Sequence, residues 1–255
     1  MVSSILIGAA ILLAILERSP RCRFRGSSLF RRFFLTDFIY LLTGFVAGGS
    51  LAPVYIEHGS QWVEASFGFP RLTAVNLPLP VSAVLALAAL DAGNYAAHYL
   101  LHRFEWSWAF HKIHHSSPQL DWLAAFRSHL AEQILRRLLA PILLILLGFP
   151  REAVIIAGAV LIAWIMFTHS NLRVNLRFLE PVLITPRLHR IHHIYDSSAK
   201  NLGTIFCFWD RLRGTLVLSE TNDEIQFGNG EANYPQNWLA QLIEPIPAAK
   251  NILRR

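Results

Sequence analysis

The stretch Phe110-His111-Lys112-Ile113-His114-His115 returns as Leu188-His189-Arg190-Ile191-His192-His193, so the motif His-x-x-His-His occurs twice. A further pair, His98 and His102, precedes the first copy with the spacing His-x-x-x-His. On a helix, positions i, i+3 and i+4 lie on one face, and each copy is therefore predicted to direct three imidazoles toward a single point. Imidazoles that converge in this way bind transition metals. Chance clustering or helix capping among the 11 histidines is the alternative, and the repeated motif argues against it.

The number of candidate ligands indicates the class of metal centre. Nine clustered histidines offer about twice the nitrogens that one tetrahedral zinc ion uses, so we expect two ions. Four or five nitrogens at each ion leave room for water or oxygen, and imidazole suits iron, although spacing alone leaves zinc and copper open. The nine candidates are His98, His102, His111, His114, His115, His169, His189, His192 and His193.

The composition indicates an integral membrane protein. Hydrophobic residues make up 53% of the chain and charged residues only 16%, against about a quarter in ordinary soluble domains. We expect one all-α, polytopic membrane domain over residues 1–255, with about four transmembrane helices. Two apolar runs have the length of about 20 residues that a crossing requires, and the other three are shorter. The five runs are Ile5–Leu16, Phe33–Ile56, Leu77–Leu101, Ile134–Phe149 and Ala153–Phe167, the last two forming a helical hairpin.

The arginine distribution predicts on which side the histidines lie. Six arginines crowd the loop between residues 18 and 32, and the positive-inside rule assigns that loop to the cytoplasm. Counting crossings from this loop brings all nine clustered histidines to the cytoplasmic face, where we expect a histidine-rich helical cap. The same count leaves His58 on the opposite face, and His58 is therefore excluded as a ligand.

Several polar residues near the motifs are candidates to support the ligands by hydrogen bonds. Asp91, Asn94 and Tyr95 form a polar stripe with His98 and His102 on an otherwise apolar helix. Asn94 and Tyr95 are one turn from His98 and are expected to bond to it, whereas Asp91 is expected to serve a histidine of another element. Polar contact between helices is the alternative.

For three further residues, the sequence does not distinguish a role in supporting the ligands from a position on the protein surface. Glu105 and Glu132 are the acidic residues nearest the motifs, and surface ion pairs with Arg103 or Arg127 are their alternative role. His129 is equally open between an outer position at the metal centre and the surface of its helix.

The ordered motifs resemble those of the fatty acid hydroxylase superfamily, also called the sterol desaturase family. The resemblance covers about Asp91 to Thr215. It departs from many relatives at Leu130, where they have proline, and from some at Arg173, where they have a further histidine. The motifs are Asp91-x-x-x-Tyr95-x-x-His98-x-x-x-His102-Arg103, His111-x-x-His114-His115, Arg127-x-His129-x-x-Glu132, His169-x-Asn171, His189-x-x-His192-His193 and the closing Asn201-Leu202-Gly203 with Trp209-Asp210-Arg211-Leu212-x-Gly214-Thr215.

The resemblance implies an enzyme with two iron ions that activates O2 to hydroxylate or desaturate a lipid taken from the bilayer. We expect hydroxylation, because hydroxyl rebound is the default outcome of hydrogen abstraction; a desaturase or a histidine-rich metal transporter or sensor is the alternative. No haem or dinucleotide fingerprint is present, so a separate ferredoxin or b-type cytochrome with its reductase is the expected electron donor. The net charge of +6 comes from arginines that we expect to set the membrane topology and to contact anionic lipid head groups, and not to bind nucleic acid. A bacterial inner membrane is the expected location.

Overall fold

The computed structural model describes residues 2–24, 31–46, 52–68, 77–194, 199–218 and 226–247. Within these ranges the chain is helical and has no strand, which confirms the all-α prediction. The helices are α1 (Val2–Leu16), α2 (Phe34–Gly44), α3 (Ala52–Phe67), α4 (Leu79–Arg103), α5 (Glu105–His115), α6 (Leu130–Leu146), α7 (Arg151–His169), α8 (Pro186–His192), α9 (Phe208–Arg213) and α10 (Trp238–Ile243).

Helices α4, α6 and α7 form the apolar centre of the bundle. Ala86 and Leu90 of α4 pack with Leu144 of α6 and with Val154 and Ala157 of α7, all of them buried. Small side chains on α4 and α7 allow these two long helices to approach closely. Both helices carry histidines at their C-terminal ends, and the parallel pair therefore delivers those histidines to the same end of the molecule.

Two of the described helices, α4 with 25 residues and α7 with 19, are long and apolar enough to cross a membrane. The predicted hairpin is present as α6 and α7, and Gly148 adopts a left-handed conformation (φ 83°) in the turn between them. α6 has 17 residues and α1 has 15, so each is shorter than a typical crossing.

The run Phe33–Ile56, which we expected to be one span, is divided between two helices. α2 ends at Gly44 and α3 begins at Ala52, and residues 47–51 between them are outside the described ranges. α3 packs against α6, where Gly59 lies close to Ile142. The expected count of four membrane crossings is thus not reproduced by helix length alone.

Clear local signals position the helices that carry the motifs. Pro80 in the first turn starts α4, and the extended backbone at Phe104 separates α4 from α5. Thr185 caps α8 by accepting a hydrogen bond from the amide of Leu188, and Pro186 occupies the first helical position. Each His-x-x-His-His copy therefore lies on a short helix of its own, α5 or α8, outside the two long helices.

Candidate metal centre

The nine histidines come together in two adjacent groups. Within each group, every histidine offers one ring nitrogen that lies within 4.8 Å of the nitrogens of the others. The five-histidine group is His98, His102, His111, His115 and His192. The four-histidine group is His114, His169, His189 and His193.

Each His-x-x-His-His copy contributes to both groups, which corrects the expectation that one copy serves one point. In α5 the i and i+4 residues, His111 and His115, join the five-histidine group, whereas His114 joins the other. In α8 the assignment is reversed: His192 alone joins the five-histidine group. The reason is helical geometry, because positions i+3 and i+4 are about 100° apart around the axis and diverge at short range. Each copy therefore spans both groups and fixes their spacing.

The chain orients five of the nine rings through Nδ1. His98 donates to the carbonyl of Leu202 (2.8 Å) and His192 to that of Lys200 (2.9 Å). His114 donates to the carbonyl of Arg127 (3.0 Å), and His169 donates to that of Ile165 (2.8 Å). His111 donates to Glu132 (3.0 Å). A carbonyl or carboxylate oxygen only accepts, so in each ring the proton is on Nδ1 and the Nε2 lone pair is directed into the centre.

The Nε2 atoms of the four-histidine group face one another, as nitrogens around a cation do. The Nε2 atoms of His114 and His169 lie 3.0 Å apart, and His189 Nε2 is 3.0 Å from that of His169. Because the Nδ1 atoms of His114 and His169 already carry the protons, no hydrogen bond relieves the contact between their Nε2 atoms. A metal ion between them does so. In the five-histidine group, the buried Nε2 atoms of His98, His102, His111 and His115 accept no hydrogen bond from the described residues. The donor sets thus fit two transition-metal ions with nitrogen ligands.

Burial keeps the ligands in the form that binds metal. Desolvation lowers the pKa of His192 to about 3 and lowers the pKa values of His111, His114, His189 and His193 well below the usual 6.5. Neighbouring imidazoles act in the same direction, since a second positive charge nearby is unfavourable. The rings are therefore neutral at physiological pH, and a metal ion does not compete with protons.

Of the two acidic residues that we considered as supports for the ligands, Glu132 contacts a candidate ligand, His111. Besides His111, its Oε1 atom lies 3.0 Å from Nε of Arg136, one helical turn further along α6. Arg136 also donates to the side-chain oxygen of Asn94 (3.0 Å). A buried chain of polar contacts therefore links α4, α6 and α5 around the five-histidine group.

The stripe on α4 has a different role from the one we expected. Asp91 accepts hydrogen bonds from the amides of Ile205 and Phe206 and from the indole of Trp209, and not from a histidine. Asn94 donates to Thr204, and Tyr95 packs against Trp209. His98 is one turn from both, but its Nδ1 is already used by the Leu202 carbonyl. These residues therefore hold a loop and do not bond directly to a ligand.

His129 and Glu105 lie away from the two groups. His129 accepts a hydrogen bond from the amide of Ala131 at the start of α6, and its Nε2 donates to the carbonyl of Leu242 (3.1 Å). Glu105 is exposed in the first turn of α5. His58 is exposed on α3, and Arg173, in place of a relative's histidine, is exposed beyond the end of α7.

Sequence reasoning missed a buried charge network that supports His114. Asp37 of α2 forms ion pairs with Arg31 and Arg127, and all three side chains are buried. Arg127 also donates to Gln236 (2.8 Å), and its own carbonyl is the acceptor for His114. The opposite charges of Asp37 and Arg127, 90 positions apart, gave no signal in the sequence. Carbonyl acceptors such as those of Lys200 and Leu202 give none either, since every residue has a carbonyl.

Comparison with known proteins agrees with the motifs. The chain is 32% identical to the ornithine lipid hydroxylase OlsE of Rhizobium tropici over 171 residues, which are 66% of this chain and 51% of that protein. It is 32% identical to the alkylglycerol monooxygenase of Danio rerio over 147 residues, 56% of this chain and 32% of that enzyme. The human alkylglycerol monooxygenase is 27% identical over 146 residues. The chain thus spans about half the length, or less, of these curated relatives. No solved structure matches it.

The model of the fatty acid hydroxylase family matches residues 83–215, which contain all nine histidines of the two groups. That range is more than half of the chain. It also agrees closely with the limits Asp91 to Thr215 inferred from the motifs. The chain belongs to the fatty acid hydroxylase family.

Proposed function

We propose that the protein is an integral membrane enzyme with two iron ions that uses O2 to hydroxylate a lipid. The observation that carries the proposal is the pair of histidine groups, in which rings with their proton on Nδ1 direct Nε2 lone pairs at two adjacent points. The three relatives are one hydroxylase and two monooxygenases, and the hydroxylase of Rhizobium tropici is named for a lipid. All nine histidines are proposed ligands, with Glu132 as a supporting acceptor.

The donor set accepts iron, zinc or copper, and we assign iron because the chain belongs to the fatty acid hydroxylase family. Both groups consist of neutral nitrogens, and five or four of these leave positions for oxygen at an octahedral ion. Cysteine is absent from both groups, and soft thiolate ligands would have favoured zinc or copper(I). Two reduced iron ions bound here would supply the activated dioxygen needed to oxidise a C–H bond. The residues of the chain hold the rings, exclude water and orient the lipid.

The lipid is proposed to reach the site from the bilayer. The outer faces of α4 and α7 expose apolar side chains, among them Val84, Leu85, Ile155 and Val160. The C-terminal ends of both helices carry histidines of the two groups. An acyl chain that lies along them has its oxidisable carbons near the centre without leaving an apolar environment.

We further propose the location and partners. Residues 1–255 form one membrane domain, with the centre on the cytoplasmic side of a bacterial inner membrane, as the arginine-rich loop predicts. A separate ferredoxin or b-type cytochrome with its reductase supplies two electrons, because the reaction consumes O2 and releases one oxygen atom as water.

Lipid analysis of cells that carry the gene tests the function. Cells that express the wild-type protein are compared with cells that express the His169→Ala variant. Their lipids are separated, and the molecular masses are measured by mass spectrometry. We expect a lipid with one added oxygen only in the wild-type cells, and purified wild-type protein with two irons per chain. Loss of two hydrogens without added oxygen would favour a desaturase. A protein that binds metal but changes no lipid would favour transport or sensing.

A further inference from the structure

A loop between α8 and α9 contacts two ligands of the same group through its backbone. This carbonyl loop, residues 199–206, presents the carbonyl of Lys200 to His192 and the carbonyl of Leu202 to His98. His192 belongs to α8 and His98 to α4. Histidines from two helices that are far apart in the sequence therefore bond to carbonyls only two residues apart. Both imidazoles belong to the five-histidine group.

The loop backbone has an unusual conformation that a buried side chain maintains. Ala199 and Asn201, on either side of Lys200, have positive φ angles of 59° and 51°. Asn201 is fully buried and donates to the carbonyls of Leu188 and Val217, while it accepts from the amide of Val217. Asparagine tolerates the left-handed region better than most residues. Its three hydrogen bonds therefore direct the Lys200 carbonyl toward His192.

Two buried carboxylates hold the rest of the loop. Asp210 accepts from the amides of Leu202 (2.9 Å) and Gly203 (2.7 Å), and Asp91 accepts from those of Ile205 (2.8 Å) and Phe206 (3.3 Å). Both carboxylates are 0% exposed. A buried carboxylate that accepts two backbone amides holds the two peptide units in a fixed relation to each other. Four such contacts, at the amides of residues 202, 203, 205 and 206, fix the backbone from which the Leu202 carbonyl projects.

We propose that the carbonyl loop positions the ligands of one metal ion only, and that Asp91, Asn201 and Asp210 are positioning residues for the five-histidine group. The inference rests on the proposed metal centre. In the four-histidine group, among the described residues, Nδ1 of His114 and Nδ1 of His169 donate to backbone carbonyls. These carbonyls belong to Arg127 and Ile165, which are not part of the carbonyl loop. A disturbed loop therefore releases the ion of the five-histidine group and leaves the other in place.

Gly203→Ala is the sharpest test, because it changes no polar group. A Cβ at this position would lie 2.7 Å from the carbonyl oxygen of Phe206 and 2.9 Å from a carboxylate oxygen of Asp210. The loop must shift to admit it. We expect the full-length protein, purified in detergent, to fall from two irons per chain to one. Mössbauer spectra should lose one of two iron signals and retain the other unchanged.

A matched control and a second variant accompany this test. Gly158→Ala makes the same chemical change on α7, where a Cβ meets nothing within 4 Å, and should keep two irons. Asp210→Asn removes a charged acceptor without adding volume and should also lower the count to one. If Gly203→Ala does not fold, the Asp210→Asn protein decides the question by the same two measurements.

Double variants separate local positioning from general instability. Adding His98→Ala to Gly203→Ala should cause no further loss of iron, because both changes affect the same ion. Adding His169→Ala should remove the remaining iron. The inference is overturned if Gly203→Ala and Asp210→Asn both keep two irons, or if both lose the two irons together. A wild-type protein that binds no metal pair would instead overturn the proposed function, and this inference with it.

Discussion

Glu132 accepts a hydrogen bond of 3.0 Å from Nδ1 of His111, and this contact joins the first His-x-x-His-His helix to the start of α6. The carboxylate side chain is 3% exposed, so water does not replace it. An acceptor of this kind fixes the tautomer of a metal-binding imidazole and raises its basicity. The contact therefore connects Glu132 to the proposed metal centre.

Replacement of Glu132 by alanine should weaken metal binding without removing a ligand. The His111 ring loses its acceptor, and loss of such a partner typically lowers metal affinity about 10- to 100-fold. Titration of the metal-free protein with Fe²⁺ under anaerobic conditions measures this. Glu105→Ala removes an exposed carboxylate in the first turn of α5 and should leave the affinity unchanged. Equal affinities for the two variants would show that the Glu132 contact does not support the ligand.

Replacement of Asp37 by asparagine should strongly destabilise the fold. Asp37 is 0% exposed and pairs with Arg31 and Arg127. Arg31 keeps a second carboxylate partner in Asp121, whereas the fully buried guanidinium of Arg127 loses the carboxylate with which it pairs. Breaking a buried ion pair costs about 3–5 kcal/mol. Thermal unfolding in detergent measures the change, with the exposed Glu152→Gln as control. If Asp37→Asn unfolds at the same temperature as that control, the network contributes little to stability.

Acidification should destabilise the fold, and the metal should be released as the protein unfolds. Burial depresses the pKa of His192 to about 3, so the folded protein keeps this ring neutral where an unfolded chain, with a pKa near 6.5, takes up a proton. Stability from this ring is complete above about pH 6.5 and is lost progressively as the pH falls toward 3.

Bound iron and helical signal should therefore both decline below about pH 6.5. Iron retained after dialysis, together with circular dichroism, follows the two processes between pH 8 and 4. His58→Ala changes an exposed histidine and should give the same profile as the wild type. A profile that is flat down to pH 4 would contradict the role of the buried rings.

Replacement of Lys112 by glutamine should loosen the C-terminal segment, residues 226–247. Lys112 lies within the first motif, and its ammonium donates to Glu231 (3.0 Å) and Glu244 (2.8 Å) and lies over the ring of Tyr234. We expect faster cleavage of this segment by thermolysin. Lys200→Gln, which alters an exposed lysine, should be cleaved at the wild-type rate. Unchanged cleavage of Lys112→Gln would show that other contacts hold the segment.

Cysteine labelling should find His58 and Gln119 on opposite sides of the membrane. His58 is next to Gly59, which contacts Ile142, and Ile142 is ten positions, or about 15 Å, along α6 from Glu132. Gln119 is exposed soon after α5. In a protein without Cys22 and Cys207, an impermeant maleimide applied to intact cells should label His58→Cys only. Labelling of both positions from one side would overturn the proposed topology.

The convergence of the histidines could be predicted from the sequence, because residue identity and helical spacing indicate it. All nine clustered histidines converge, and His58 and His129 remain outside. Which histidine joins which group was harder to predict from the sequence. A spacing of three or four residues indicates a shared helix face, but adjacent residues on that face still differ by about 100° in direction around the helix axis.

The long helices α4 and α7 were equally predictable from their apolar length. The run Phe33–Ile56 was not, since hydropathy alone does not reveal where a helix ends. The roles of Asp91 and Asn94 depend on a loop more than 100 positions away, with partners at Ile205 and Thr204. Contacts of that separation leave no periodic pattern.

The use of backbone carbonyls to orient His98, His114, His169 and His192 has a consequence for how the protein can change in evolution. Any amino acid at positions 165, 200 or 202 supplies the same acceptor, so these positions do not need a particular side chain for this purpose. Position 127 differs, because the Arg127 side chain also pairs with Asp37. An insertion or deletion of one residue, in contrast, moves the oxygen away from its ring. Positions 165, 200 and 202 should therefore tolerate substitution, while the lengths of the segments around them remain fixed.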